Sequence, residues 1–172
     1  MRRRRTINGA IAGAAGAAVW AAQERLDQQL FGVPYSDVEL LGKAVTRGPS
    51  WPAAGVALHV LNGALFGAAY ANARPFAPVP AVGAGIAAGL TECFATWPLT
   101  RFVPTVHPAG DELPRLWGSR PALAQATWRH ALFGAVVGLV EQRLNADLTA
   151  EPPTIVPVAS NGHGDLAAAI QT

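Results

Sequence analysis

The chain has 172 residues, of which 51% are hydrophobic and only 14% are charged, and its mean hydropathy is +0.23. Because a soluble domain has roughly 25% charged residues, this composition argues against an ordinary water-soluble domain and favours a membrane protein. The single cysteine, Cys93, excludes an intramolecular disulfide. The formal net charge of +2 is dominated by a run of arginines at 2–5, and no nucleic-acid partner is expected.

Four apolar segments rich in Ala and Gly are candidates for membrane-spanning helices, at residues 7–23, 51–72, 79–98 and 121–143. A hydrocarbon layer about 30 Å thick is crossed by about 20 helical residues, so the first segment is long enough only if its helix continues into Glu24–Leu30. The connections between the segments alternate long, short and long, which is typical of two helical hairpins in tandem. The sequence therefore predicts an all-α fold, a four-helix transmembrane bundle.

The arginine run before the first segment predicts the orientation. Because positive charge beside the first span is retained in the cytoplasm, both termini are predicted to be cytoplasmic, in a bacterial plasma membrane. The other loops favour the reverse orientation, because most of their basic residues fall on the predicted outer side: Arg25, Lys43, Arg47, Arg101, Arg115, Arg120 and Arg129. Residues 1–23 also fit a cleaved signal peptide, with a basic start and Val19-Trp20-Ala21 at its end.

The two long connections each contain acidic, then apolar residues, then a glycine, at 36–42 and 110–118. Ser36 with Glu39 fits a capping box, and Asp111 is a candidate cap for a counterpart helix. Each segment is interpreted in one of two ways. Either it is a short helix on the membrane surface, with its leucines facing lipid, or it is a polar loop with one helical turn. The leucines and the neighbouring tryptophan concerned are Leu40, Leu41, Leu113, Leu116 and Trp117.

A short pattern occurs twice, as HVLNGALFGAAY at 59–70 and HALFGAVVGLVE at 130–141. Steps of four residues place its histidine and glycines on one helical face, and small faces are where membrane helices contact each other. We predict a tandem duplication with halves 6–73 and 79–145, related by an axis along the membrane normal. The glycines predicted to pack helices are Gly9, Gly13, Gly55, Gly63, Gly67, Gly85, Gly89, Gly134 and Gly138.

Three titratable residues inside the predicted spans are the candidate site. A charge as deep as Glu92 costs about 3 kcal/mol or more, so such residues usually face the bundle and often mark ion paths. His59 and His130 share the glycine faces and are expected to point at neighbouring helices, and across the axis they could face each other. They are interpreted as interhelical hydrogen-bonding groups, as partners of Glu92 in a proton path, or as a bis-imidazole haem site. No metal site and no cofactor are predicted, because a closed metal site needs more ligands.

The second half resembles a known family. Its residues AGIAAGLTECFATWPLTRFVPTVHP at 84–108, the acidic-Leu-Pro segment at 111–114 and RHALFGAVVGLVEQRL at 129–144 are similar to the YagU-like family of small bacterial inner-membrane proteins. The resemblance implies a topology and a location, and no molecular activity. Glu92 and Cys93 stand where the family is expected to have an aromatic residue and a histidine, so no family site is carried over.

The sequence thus predicts a non-enzymatic multi-pass membrane protein, residues 1–145, followed by a disordered tail at 146–172. Its expected partners are the lipid bilayer and either a second copy or another membrane protein. The alternatives are a small proton or cation transporter or channel subunit, and a haem-b membrane protein. An aromatic belt at the membrane surfaces is predicted from tryptophans near the span ends, namely Trp20, Trp51, Trp97, Trp117 and Trp128.

Overall fold

The structure, a computed structural model, describes residues 2–148 and is all-helical within that range. Its helices are α1 (Arg2–Phe31), α2 (Asp37–Val45), α3 (Trp51–Ala73), α4 (Ala81–Thr96), α5 (Val103–Val106) and α6 (Arg120–Leu144). Short 3-10 helices follow α3 and α4, at Arg74–Phe76 and Trp97–Phe102. The all-α prediction is confirmed, and the four long helices coincide with the predicted apolar segments. The tail prediction lies outside the described residues from 149 onward.

Local sequence sets where the shorter and longer helices begin. The Ser36 hydroxyl accepts a hydrogen bond from the Glu39 amide (3.1 Å), so the predicted cap of α2 is confirmed. Ser119 caps α6 in the same way through the Ala122 amide (3.3 Å). Asp111 caps no helix, because residues 110–118 form turns. Residues 36–42 therefore cap and form most of a short helix, whereas their counterpart at 110–118 forms none.

Glycine faces bring α1 against α3 and α4 against α6. A Cβ on Gly9 would overlap the Gly67 carbonyl, and a Cβ on Gly13 would overlap that of Gly63. Such overlap means that the two backbones approach more closely than any side chain permits. The α1–α3 contact therefore depends on the absence of side chains at these positions.

The contact between α4 and α6 repeats this construction. A Cβ on Gly85 would overlap the Gly134 carbonyl, and one on Gly138 would overlap the Ala81 carbonyl. Gly89 contacts the carbonyl of His130 in the same manner. The predicted glycine faces thus join the helices within each predicted half of the chain.

The two halves meet through α1 and α6, so the long helices lie in the order α3, α1, α6, α4. Gly16 of α1 leaves room for Phe133 and Val137 of α6. Because α1 lies beside both histidine-bearing helices, α3 and α6 make few contacts with each other. His59 and His130 therefore do not face each other directly across a two-fold axis, since the Trp20 ring contacts both.

Gly55 has a different neighbour from the other predicted packing glycines. A Cβ on it would overlap the Val38 carbonyl of α2, and a Cβ on Gly42 of α2 would overlap the Trp51 carbonyl. The short helix α2 consequently lies on the first turns of α3. This contact places Asp37, the first residue of α2, within hydrogen-bond distance of Trp20 of α1 and Arg129 of α6.

Within residues 2–148, one helical segment, Trp51–Phe76, is long and apolar enough to cross a membrane, with a mean hydropathy of 1.3 in its most apolar window. Helices α1 and α6 have sufficient length but do not combine it with the same hydropathy and low charge. Helix α4 has 16 residues before the 3-10 turns begin. The four membrane spans therefore remain a prediction.

Candidate functional site

The structure brings two of the three predicted site residues into direct contact. His130 Nε2 lies 2.7 Å from Glu92 Oε2, and His130 Nδ1 lies 2.7 Å from the Ala126 carbonyl oxygen. Because a carbonyl only accepts, Nδ1 carries a hydrogen, and Nε2 cannot face a carboxylate at this distance with both atoms unprotonated. The pair therefore holds one shared proton, as imidazolium and carboxylate or as imidazole and carboxylic acid.

His59 has different partners. Its Nε2 lies 3.2 Å from the Ala17 carbonyl oxygen, and its ring meets the Trp20 ring edge-on at 5.5 Å between centroids. The same Trp20 ring lies 4.7 Å from the His130 ring. Both Nε2 atoms that would ligate a haem iron therefore have protein partners already, and a tryptophan contacts both imidazoles. This arrangement favours hydrogen-bonding roles over the haem interpretation.

Trp20 is a core residue. Its position near a predicted span end suggested an aromatic belt, and that prediction is wrong for this tryptophan. It is 6% exposed, and its Nε1 donates to Asp37 Oδ2 at 3.0 Å. Trp117 and Trp128, in contrast, are about half exposed. The sequence signal fails for Trp20 because α1 continues past it to Phe31, so this tryptophan is not at a helix end.

A cavity of about 170 Å³ unites the predicted site residues. Glu92, His59 and His130 all line it, together with Trp20 and Asp37. An adjoining cavity of about 250 Å³ shares Trp20, Asp37, Glu92 and His130 with the first. The Glu92 side chain is 43% exposed, so its carboxylate is accessible from this space.

Next to this cavity lies a buried ion cluster that sequence reasoning missed. The Arg129 guanidinium is completely buried and binds Asp27 with a two-pronged contact, from Nε (2.6 Å) and Nη2 (2.5 Å). Its Nη1 donates to Asp37 Oδ2 at 3.0 Å, and Nη2 also donates to the Tyr35 carbonyl oxygen at 3.0 Å. This paired geometry is the strongest arrangement of arginine with carboxylates, and it joins α1, the start of α2 and α6.

Polar neighbours complete the cluster. The buried Gln125 amide donates to Asp27 Oδ1 (2.8 Å) and to the Val33 carbonyl (3.1 Å), and the Tyr35 hydroxyl donates to Asp37 Oδ1 (2.6 Å). Burial raises the pKa of the Tyr35 phenol well above its ordinary value, as does the adjacent Asp37 charge, so the hydroxyl stays a neutral donor. Tyr35 and Gln125 thus hold the two aspartates in place.

Glu24 is a further carboxyl group in this region. Burial raises its pKa from the ordinary value of 4.5, against the lowering effects of the nearby Ser36 hydroxyl and the Arg129 charge. Its buried Oε2 has no hydrogen-bond partner within residues 2–148. One guanidinium therefore lies near three carboxyl groups, Asp27, Asp37 and Glu24, of which Glu24 has a raised pKa.

The sequence contained one signal for this cluster. Arg129 lies within the predicted span 121–143, and a charge at such a position indicates a buried partner for the same reason that singles out Glu92. Arg129 also fits among the basic residues of the predicted outer side, and this interpretation as a surface charge hides its need for a buried partner. Asp27 and Asp37 lie in what reads as a polar connection, so their pairing with Arg129 follows only from the tertiary fold.

Helix α2 is fastened over the cavity by the second long connection. His107 Nε2 lies 2.9 Å from the Leu40 carbonyl oxygen, and Glu112 pairs with Lys43 (2.7 Å) and with Arg47. Hydrogen bonds from Lys43 and Arg47 lower the pKa of the Glu112 carboxyl. Leu113 and Leu116 are buried here, so they do not face lipid as one interpretation of this segment proposed.

No protein-family model, no curated protein and no solved structure matches the chain. The resemblance to the YagU-like family therefore stays an expectation from the quoted residues. Functional assignment depends on the geometry of this site and on the surface of the helices.

Proposed function

We propose that the chain is a non-enzymatic, four-span integral protein of a bacterial plasma membrane, with both termini cytoplasmic. Its helices pack through their glycine faces, and it associates with a second copy or with another membrane protein. The Glu92–His130 pair gives it a proton-sensitive polar site near the outer surface. The resemblance to the YagU-like inner-membrane family is in accord with this location.

The observation that carries the proposal is the distribution of side chains around the helices. The inner faces hold glycine, alanine and a buried ion cluster, whereas large apolar side chains point outward. Exposed examples on the long helices are Ile7, Ile11, Val56, Leu61, Leu65, Phe94 and Leu139. Single exposed apolar residues are normal on soluble proteins, but broad apolar surfaces indicate contact with lipid or with another protein.

The positions of the charges agree with this arrangement. One end of the bundle carries Arg2–Arg5, Arg74 and Arg143, and the other end carries the Arg129 cluster and the α2 contacts. Hydropathy of the individual helices is modest because their buried faces combine glycine with polar side chains, such as Gln125, Arg129 and Glu141 of α6, which do not meet lipid. A helix inside a bundle needs an apolar surface only on the side that lipid contacts.

Membrane insertion is tested by fractionation. Full-length protein expressed in bacteria is expected in the membrane pellet and to resist extraction with alkaline carbonate, while detergent releases it. Recovery of folded protein in the supernatant without detergent would overturn the proposal. A soluble periplasmic or cytoplasmic protein carrying the same affinity tag serves as the control.

Topology is tested by cysteine labelling in a Cys93→Ala background. Gly48→Cys, in the connection before α3, is expected to react with a membrane-impermeant maleimide in intact spheroplasts. Arg143→Cys, at the end of α6, is expected to react only after permeabilisation. The opposite pattern would reverse the orientation. Labelling of both cysteines in intact spheroplasts would place residues 48 and 143 on the same side, and it would refute the three spans proposed between them.

A second candidate function, passage of protons or cations, is favoured by the accessible shared proton of Glu92 and His130. Reconstituted liposomes with an imposed pH gradient test it. Proton flux is expected to disappear in Glu92→Gln and to persist in Asp111→Asn, which removes an exposed carboxylate outside the cavities. Equal flux in Glu92→Gln and the unmodified chain would exclude this function.

A further inference from the structure

The two adjoining cavities provide one carboxylate that has room for a ligand. Asp37 lines both cavities, but its oxygens are already bonded to Trp20, Tyr35 and Arg129. Glu92 uses Oε2 for His130 and is 43% exposed, and its other oxygen has no hydrogen bond to residues 2–148. Glu92 is therefore the group that a ligand in the cavity meets.

The walls of the cavities are aromatic and carry no basic side chain other than histidine. Trp20 lines both cavities and Tyr35 the second, but the Arg129 guanidinium already lies over these two rings, 6.0 and 5.4 Å from their centroids. Phe66 and Phe133 line the first cavity and Trp97 lines the second, and no described cation lies over their rings. No lysine or arginine is among the described residues that line either space. The rings of Phe66, Phe133 and Trp97, near the Glu92 carboxylate, therefore offer faces that attract a cation.

We propose that these cavities bind a monovalent organic cation with an apolar substituent, and that the cation exchanges with the proton shared by Glu92 and His130. The inference rests on the proposed membrane function, in which such a ligand enters from the outer surface or the lipid. Protonated, the pair is neutral overall; after the proton leaves to water it carries one negative charge, which the bound cation neutralises. No other bond is formed or broken.

The surrounding charges leave this proton as the one that can be exchanged. Asp37 at the start of α2 and Asp27 of α1 are bonded to Arg129 of α6, and His59 of α3 is bonded to the Ala17 carbonyl. Two further ionisable side chains line the second cavity, the buried Cys93 of α4 and Tyr35, whose hydroxyl donates to Asp37. Charge balance therefore favours one cation bound for each proton released.

The experiment uses full-length protein in nanodiscs of zwitterionic lipid and benzyltrimethylammonium as the probe. Calorimetry in two buffers with different ionisation enthalpies gives affinity and proton release together. We expect one proton released per cation, and an affinity that rises about tenfold per pH unit while the pair is protonated, as linkage requires. Neopentylbenzene, which has the same shape without charge, is expected to bind much more weakly.

Variants separate the site from general effects of the fold. Glu92→Gln is expected to lower the affinity for the cation at least tenfold, whereas Asp111→Asn leaves it unchanged. Circular dichroism and gel filtration check that each variant is folded. If Glu92→Gln does not fold, Phe66→Leu provides the second test, because it removes one aromatic wall and is expected to weaken binding severalfold with proton release unchanged.

Three results would overturn the inference: equal binding of the neutral isostere, cation binding without proton release, or equally strong competition by potassium ions, which would indicate an inorganic cation site. These results are independent of the fractionation experiment. Membrane insertion without cation binding would refute this inference alone. A folded protein in the detergent-free supernatant would refute the proposed function, and the calorimetry would then be performed in water.

Discussion

The two halves of the bundle share a backbone contact and differ in what lies beside it. Gly13 contacts Gly63 in the first half as Gly85 contacts Gly134 in the second. Near the ends of these contacts, His59 meets Trp20 and a carbonyl, whereas His130 meets Glu92. Glycine contacts therefore determine how the helices pack, but they leave the neighbouring positions free to have different side chains and different chemistry.

The residue before each histidine shows the same divergence. Position 58 is a leucine on α3, and the corresponding position on α6 is the buried Arg129. The α6 position meets the extended end of α1, where Asp27 is available as a partner. Helix α6 is therefore tied to α1 by charge, whereas α3 contacts α1 through glycines and through the hydrogen bonds of His59 and Asn72.

Among the substitutions that compare the two halves, Arg129→Met is expected to cause the largest loss of stability. Removing one partner of a buried ion pair leaves the other charged and unpaired, which costs about 3–5 kcal/mol. Leu58→Met at the corresponding position is expected to change stability little, and Arg143→Met, an exposed arginine on the same helix, is the charge control. Thermal unfolding in detergent measures all three. A stability loss no greater than that of Arg143→Met would show that the cluster does not hold the halves together.

A double variant, measured by the same thermal unfolding, tests whether Arg129 and Asp27 stabilise the fold as a pair. Arg129→Met combined with Asp27→Leu is expected to recover part of the lost stability, because both buried charges are then absent. Asp37 retains its bonds from Trp20 and Tyr35. A double variant less stable than Arg129→Met would mean that Asp27 stabilises the fold through partners other than Arg129.

The glycine contacts are expected to be equally sensitive in the two halves. Gly67→Leu and Gly138→Leu should each lower the free energy of unfolding by about 2–3 kcal/mol, because the new side chain overlaps the facing backbone. Gly83→Leu is the matched control, since a Cβ there has open space. Near-ultraviolet circular dichroism during heating measures the effect. If only one of the two core variants destabilises the protein, the halves do not pack in an equivalent way.

Burial of Glu24 in the C-terminal part of α1 predicts a pH effect on stability. Its pKa in the folded protein is raised, so the folded state holds this proton more tightly and stability falls as pH rises above the ordinary value of 4.5. Glu24→Gln should remove that fall and leave a more stable protein at neutral pH. Midpoints of thermal unfolding across the acidic to neutral range test this. An identical pH dependence in the variant would contradict it, and Asp111→Asn is the control.

The smallest effect is expected at the contact between α2 and the second long connection. The pKa of Glu112 is lowered by Lys43 and Arg47, so its stabilising contribution is present above the ordinary pKa and is lost as pH falls through the lowered value. Glu112→Gln should reduce the hydrogen-exchange protection of α2 amides at neutral pH. In this variant the protection should no longer fall as the pH is lowered into the acidic range. Exchange of α6 amides provides the internal control. Unchanged protection of α2 would show that its contacts with α3 and with His107 hold it without Glu112.

Much of the fold follows from sequence because its signals are local. The steps of four that link Gly63 and Gly67, and Gly134 and Gly138, predict contact faces from a single helix. The Ser36 cap depends on three following residues, and it is confirmed. The placement of Glu92 and the two histidines on one cavity is also within reach of sequence reasoning, because apolar segments leave polar side chains few places to point.

The chain order alone does not decide which helices become neighbours. The repeat suggested that His59 and His130 meet across an axis, but Gly16 of α1 admits Phe133, and α1 separates the two histidine helices. The Trp20 ring consequently contacts both imidazoles. Small-residue faces make several pairings sterically feasible, and only the packed bundle selects one.

The sequence by itself determined the helical segments, their glycine faces and the presence of charge within apolar stretches, because each depends on residues within a few helical turns. Only the tertiary structure decided that Arg129 pairs with Asp27 and Asp37 and that Glu92 shares a proton with His130. These contacts join segments far apart in the chain. A buried charge must find a partner wherever the packed helices present one, and that position is a property of the assembled bundle.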